Sequence, residues 1–166
     1  MKGGSHRPTS QGWVNYSEDN GETPAEIGGG LVCLTAEVAL NVGDVVYLSA
    51  AVAGNVNKSL TPATTLDRIV GVVVGGDNTN MEVIQDDTTI GVLLAAAAGR
   101  RVLVAQIGVV KVLADAAIAT FGNKVIDSIV VAGRVAVGTT AGHVVGRALN
   151  TAAGAGSVIR ILLDPQ

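Results

Sequence analysis

The residues that could perform nucleophilic catalysis are few, and they do not group along the chain. The only histidines are His6 and His143, and a catalytic nucleophile needs both a base and a group that orients the base. The single cysteine, Cys33, lies between Val32 and Leu34. A reactive thiolate requires an electropositive, partly exposed setting. The pattern therefore predicts a buried structural cysteine.

Four carboxylates in one short segment raise the question of acid–base catalysis or a metal site. Paired carboxylates serve either purpose. The spacing of a calcium-binding EF-hand is absent, because Thr79 and Met81 occupy the third and fifth positions counted from the first acid. We interpret the segment as the polar tip of a hairpin, and a metal-dependent hydrolase remains an alternative. The four acids are Asp77, Glu82, Asp86 and Asp87.

Glycine-rich and basic stretches also lack the surroundings that binding motifs require. Residues 28–30 and 75–76 are glycines without the Gly-Lys-Ser/Thr ending or the following helix of a phosphate-binding loop. Arg100 and Arg101 lack the aromatic neighbours on which single-stranded nucleic acids stack. The sequence therefore predicts a protein that is not an enzyme and that has no cofactor and no metal.

Composition limits the remaining classes of function. The chain has 166 residues, a formal net charge of −3 and 48% hydrophobic residues, which is enough for one domain with a buried core. The net charge argues against nucleic-acid binding. Mean hydropathy is +0.46, yet the longest apolar runs, at 69–74 and 90–98, are shorter than the ~20 residues of a membrane-spanning helix. We expect no membrane segment, no secretory signal and synthesis in a reducing compartment.

Short Val- and Ile-rich segments separated by glycines predict an all-β fold, either a small β-barrel or a β-sandwich. The segments 93–98 and 114–120 are ambiguous between a helical turn and a loop. Strands are predicted at 31–36, 44–49, 68–74, 81–85, 101–106, 108–113, 124–131, 134–137, 143–149 and 157–163.

Glycine-anchored segments recur in the two halves of this body, residues 31–166. Gly-Asp-Val-Val-Tyr at 43–47 corresponds to Gly-Asn-Lys-Val-Ile at 122–126, and Gly71 and Gly99 correspond to Gly146 and Gly156. The first copy carries about 18 extra residues, at about 74–91, which we interpret as an inserted hairpin. We expect the two pseudo-repeated halves to pack face to face as one barrel or sandwich.

Residues 1–30 differ from the body, because they are polar and show no hydrophobic periodicity. They hold two of the chain's four aromatic residues, Trp13 and Tyr16. The sequence predicts an extended N-terminal arm, which either contacts a neighbouring molecule or packs Trp13 onto its own body.

Three segments carry a resemblance to a known family: VALNVGDVVYLSA, RIVGVVV and AAAAGRRVLVAQIGVVKVLADAAIATFGNKV. They are similar to the capsid decoration (cement) proteins of tailed bacteriophages, and the resemblance covers about residues 36–163. The insertion at 74–91 and the arm depart from that pattern. The resemblance implies a β-rich, non-enzymatic virion protein. Such a protein would assemble in the host cytoplasm, bind the capsid exterior as an oligomer and clamp neighbouring subunits of the major capsid protein.

On this reading the arm would pair with an exposed sheet edge on a neighbour. Trp13 and Tyr16 would fill pockets, as aromatic side chains do at interface hot spots, and Arg7 would meet acidic capsid surface. We expect a homo-oligomer, a trimer being favoured at a local three-fold axis. The alternative is a displayed virion module, fibre-like or receptor-binding, with the hairpin at 74–91 as its recognition tip.

Overall fold

The computed structural model describes residues 30–49, 51–58, 69–78, 90–128, 130–138 and 144–163, and the backbone of two short strands at 8–9 and 12–13. Regular structure in these residues is entirely β, which confirms the predicted fold class. The strands are β1 (Pro8–Thr9), β2 (Gly12–Trp13), β3 (Leu31–Ala36), β4 (Leu40–Asn41), β5 (Val45–Leu48), β6 (Asn55–Asn57), β7 (Ile69–Gly76), β8 (Leu94–Ala96), β9 (Arg101–Ala105), β10 (Gly108–Leu113), β11 (Lys124–Asp127), β12 (Val135–Val137), β13 (Val144–Ala148) and β14 (Val158–Leu163).

The first half of the body forms a closed barrel, which we call the N-terminal barrel. Its strands are hydrogen-bonded in the order β3-β9-β7-β5-β6, and a parallel pairing of β6 with β3 closes the circle. All other pairings in the barrel are antiparallel. Strands β4 and β8 form a separate antiparallel pair. Closure leaves the barrel without free strand edges.

The second half forms a five-stranded sheet, which we call the C-terminal sheet. Its order is β10-β14-β13-β11-β12, and its two edge strands meet at one parallel bridge between Ala114 and Val135. Strand for strand, this order repeats that of the N-terminal barrel. The same turn also follows β5 and β11. Ser49 Oγ accepts a bond from the N–H of Val52, and Ser128 Oγ accepts one from Val131, both at 2.9 Å.

The predicted repeat is therefore confirmed, but the halves do not combine into one barrel. Each half rolls up separately, because its own first strand pairs with its own last strand: β3 with β9, and β10 with β14. The two ambiguous segments contain no helix. Ala114 and Ile118 lie in isolated bridges, and β8 occupies the middle of 93–98.

Two of the glycines that marked the repeat allow neighbouring strands to approach closely. A Cβ atom at Gly71 would overlap the carbonyl oxygen of Ala105, and one at Gly146 would overlap that of Leu162. The two carbonyls occupy equivalent positions in β9 and β14. Because the clash is with backbone, no side-chain rotation could relieve it.

The buried side chains fall into two clusters. One lies inside the N-terminal barrel and includes Val46, Val73 and Val104. The other fills the C-terminal sheet, for example at Val125 and Ile161, and continues without interruption onto the outer surface of the barrel. This second cluster thus joins the two halves.

We predict that Gly146→Ala lowers the free energy of unfolding by about 2–3 kcal/mol, because the added methyl group forces β13 away from β14. The matched control is Gly154→Ala, where a Cβ meets nothing within 4 Å. Urea denaturation measures both. Equal stabilities of the two variants would contradict the close-approach explanation.

Candidate interaction surfaces

Most of the side chains singled out from the sequence lie outside the described residues. These are His6, Arg7, Tyr16, Glu82, Asp86, Asp87 and His143. The backbone of Trp13 lies in β2 opposite Pro8 of β1, and the two short strands pair antiparallel. The contacts proposed for Arg7, Trp13 and Tyr16 stay predictions.

Cys33 and Asp77 are described, and the barrel accounts for both. Cys33 lies on β3 opposite Leu103 and is half-buried. Burial raises the pKa of its thiol above the ordinary value, and the nearby Arg101 cation offsets this rise only in part. Asp77 follows β7 and accepts a hydrogen bond from the N–H of Arg101 at 3.2 Å. Within the described ranges, no three His, Cys, Asp or Glu residues are grouped as metal ligands, and no helix has the length and apolar character to cross a membrane.

The polar chemistry of the described residues is concentrated where the two halves meet. Asp44 Oδ2 accepts hydrogen bonds from the N–H of Asn41 and from Lys58 Nζ, both at 2.8 Å. These groups line a small cleft whose opposite wall includes Gly133 and Arg134. Burial raises the pKa of Asp44 above its ordinary value, and the Lys58 and Arg134 cations offset this only in part.

A buried side-chain hydrogen bond crosses the same junction. The Tyr47 hydroxyl donates a hydrogen bond to Asp127 Oδ2, and each residue is only 3% exposed. The backbone adds a second link, since the N–H of Val45 donates to the carbonyl of Gly133 at 2.9 Å. These two links help to fix how the halves are placed, because burying polar groups is costly unless they are paired.

Apolar packing covers one face of the N-terminal barrel. The cross-strand registers place four residues in a row over four strands. All four are at most 8% exposed and belong to the cluster that fills the C-terminal sheet. We call this set the N-terminal row: Val45, Val72, Ala105 and Leu31.

The equivalent row of the C-terminal sheet has no cover among the described residues. The registers align Lys124 with Arg147, Arg147 with Leu162, and Leu162 with Val109. Both cations are exposed, and Leu162 and Val109 are 44% and 51% exposed. We call these four residues the C-terminal row. Reasoning from the sequence missed this surface, although superposing the two repeats strand by strand would have revealed valines replaced by Lys124 and Arg147.

We predict that Asp44→Asn alters the dependence of stability on pH. A raised pKa means that the folded state holds the proton more tightly than the unfolded chain, whose ordinary value is 3.8. Protonated Asp44 therefore stabilises the folded state. This stabilisation is complete when the pH lies below the ordinary pKa of the carboxyl, and it is lost as pH rises through the raised pKa. Urea unfolding between about pH 3 and pH 7 should show the variant gaining stability relative to the wild type as pH rises.

The control for Asp44→Asn is Asp77→Asn, which removes an exposed carboxylate of the same type. A constant difference between Asp44→Asn and the wild type across this range would contradict the assignment. The substitution is compatible with the fold, because Asn123 occupies the equivalent position of the second half.

We predict that Tyr47→Phe lowers the free energy of unfolding by about 1–3 kcal/mol, because a buried carboxylate loses a donor. A double-mutant cycle with Asp127→Leu isolates the contact. The double variant should be less destabilised than the sum of the single variants, since it leaves neither polar group behind. Additive losses would show that the hydroxyl–carboxylate bond does not couple the halves.

No protein-family model matches the chain, and no curated protein sequence matches it. The surfaces described above therefore carry the functional interpretation, together with the resemblance noted in the sequence.

Proposed function

We propose that the chain is a non-enzymatic capsid decoration protein that binds the outer surface of a bacteriophage head and stabilises contacts between major capsid subunits. One observation carries the proposal. The buried polar groups of the described residues bond within the body, as Asp127 does with Tyr47 across the junction, whereas large apolar side chains are exposed on the surface. The most exposed of these are Val92, Phe121 and Val130, at 78%, 72% and 71%. Such a body is suited to binding other proteins.

The segments that resemble the cement proteins support this proposal, because they contribute strands to both the N-terminal barrel and the C-terminal sheet. The segment VALNVGDVVYLSA spans β4 and β5, and RIVGVVV contributes the start of β7. The third segment begins before β9 and runs through β10 into β11. The resemblance therefore follows the elements that make up the fold.

Repetition over a shell explains how modest contacts could suffice. A decoration protein meets the same capsid surface many times, and an oligomer engages several copies at once, which raises its effective affinity. The arm would supply the capsid contacts through Arg7, Trp13 and Tyr16, with the body as an oligomer, a trimer being favoured. An arm that orders on binding loses conformational entropy but covers a large area.

The test is co-sedimentation of the purified protein with phage heads that lack it, followed by thermal melting of the particles. Saturable binding that raises the melting temperature of the heads is the expected result. Binding without stabilisation would instead favour the displayed module. Deletion of residues 79–89, the part of the insertion at 74–91 that leaves β7 and the buried Ile90 in place, would then abolish attachment to the host. Absence of binding would overturn the proposal.

We predict that the double substitution Trp13→Ala, Tyr16→Ala weakens binding to heads at least about tenfold while leaving the melting of the free protein unchanged. The matched control is Phe121→Ala, an aromatic residue that is 72% exposed on the body. Equal losses from both variants would contradict an anchoring role for the arm.

A further inference from the structure

Two surfaces of this chain match the two sides of its own internal junction, and both are exposed. We propose that copies of the chain associate head to tail. In this arrangement the C-terminal row of one copy docks on the N-terminal barrel of the next, as the N-terminal row docks on the C-terminal sheet within the chain. The association is independent of capsid binding.

The internal junction defines the contact that would be repeated. On one side lies the N-terminal row with its neighbour Asp44. On the other side lies the line along which the edge strands β10 and β12 meet, together with the turn after β11. We call this side the C-terminal seam. Gly43 lies over Val112 of β10, and Val45 bonds to Gly133 in the turn, so the barrel contacts both parts of the seam.

The equivalent N-terminal seam lies where β3 meets β6, with the turn after β5, and it is more exposed. Leu48 and Val52 are 50% and 45% exposed. Val32 and Leu34 of β3 are only partly buried against the interior cluster of the barrel, whereas their counterparts in β10, Val110 and Val112, are 4% and 0% exposed. The apolar surface that the N-terminal seam presents is therefore that of Leu48 and Val52.

Residues that meet across the internal junction are replaced together at the equivalent positions of the repeat. Tyr47 and Asp127, which share a buried hydrogen bond, correspond to Ile126, which is buried, and Leu48, which is exposed. An aromatic–acid pair on the two sides thus becomes an apolar pair. Paired replacement preserves complementarity, whereas a change on one side alone would bury an unpaired polar group.

The second pair changes in the same way. Asp44 and Arg134 lie close enough for the guanidinium to lower the pKa of the carboxyl. Their equivalents at the open surfaces are Asn123 and Asn55, two neutral amides. In both pairs, the residue on one side of the contact changes together with the residue that it would face, as expected of surfaces that meet.

Lys124 and Arg147 replace Val45 and Val72 in the C-terminal row. Long cationic side chains can cover apolar surface with their stems while the charge stays in water. The opposing surface carries the carboxylate of Glu37. This residue is held at the N-terminal seam, because its backbone N–H donates to the carbonyl of Val56 at 2.9 Å. The contact between copies would thus be weaker than the internal one and sensitive to salt.

A contact between two different surfaces closes into a ring or continues as a filament. Because each chain carries two similar units, a ring of three chains would present six units around its axis. The internal junction supplies one of every two contacts, and the proposed association supplies the other.

The experiment measures self-association of the full chain by analytical ultracentrifugation, with Leu48→Glu and Leu162→Glu as one variant on each surface. Both side chains are about half exposed, so the fold should survive, which circular dichroism and thermal melting verify. Each variant should raise the dissociation constant at least about tenfold. Val92→Glu, an exposed position in neither surface, should behave as the wild type does.

Mixing the two variants tests the polarity of the contact. Leu48→Glu keeps an intact C-terminal row, and Leu162→Glu keeps an intact N-terminal seam. The mixture should therefore form dimers of one copy of each, which cannot grow further. A wild type that is monomeric at millimolar concentration, or a mixture that stays monomeric while the wild type associates, would overturn the proposal.

A gain of affinity gives a third readout. The double substitution Lys124→Val, Arg147→Val restores the residues of the N-terminal row and should tighten association at least about tenfold. Unchanged or weaker association would contradict the equivalence of the two rows. Binding of Leu162→Glu to phage heads, measured separately, distinguishes a failure of self-association from a failure of capsid binding.

Discussion

Burial of the N-terminal row against the C-terminal sheet is the interaction on which the rest of the structure depends. Val45 and Val72 are 1% and 0% exposed, and burying an aliphatic side chain of this size contributes about 1.5–3 kcal/mol. The row also extends the core of the second half onto the outer surface of the barrel. Without it, Val110 and Val112 would meet water at an open seam, and two small units would each have to support a separate core.

Polar contacts at the junction contribute more to geometry than to stability. The raised pKa of Asp44 shows that burial disfavours its charged form by more than its partners favour it. Removing a carboxylate from water is expensive, and a buried ion pair repays that cost only with good geometry. The apolar row accordingly supplies the attraction, and the hydrogen-bonded pair Tyr47 and Asp127 selects one relative placement of the halves.

The sequence was most informative where local chemistry alone determines conformation. Gly43 and Gly122 have positive φ angles of 90° and 81°, and Gly71 and Gly146 permit close strand approach, so their spacing revealed the repeat. The alternating valines likewise predicted most strands within a residue or two. By contrast, the predicted strands wrongly included the turn residues Ser49 and Ser128. Strand β6 was not predicted, because three residues are too few to show a period-two pattern.

What the sequence could not provide was the pairing between the halves. Whether two repeats form one barrel or two units depends on which strand each first strand joins. Hydrophobic periodicity is the same in either case. The surfaces were missed for a related reason. Lys124 and Arg147 lie two strands apart in the repeat, and only the registers of β11, β13 and β14 reveal that they share a row with Leu162 and Val109.

The differences between the two rows fit the different tasks that the proposed head-to-tail association would give them. A chain that repeats one unit with identical surfaces would bind further copies as strongly as it binds its own second half, and assembly would be hard to limit. Val45 and Val72 face a partner that is covalently attached, so they can be wholly apolar. Lys124 and Arg147 stand on the surface of each chain before it meets another, where exposed valines would promote unspecific association. Cationic side chains keep that surface hydrated while leaving Leu162 and Val109 available, which limits the strength of the contact without removing its shape.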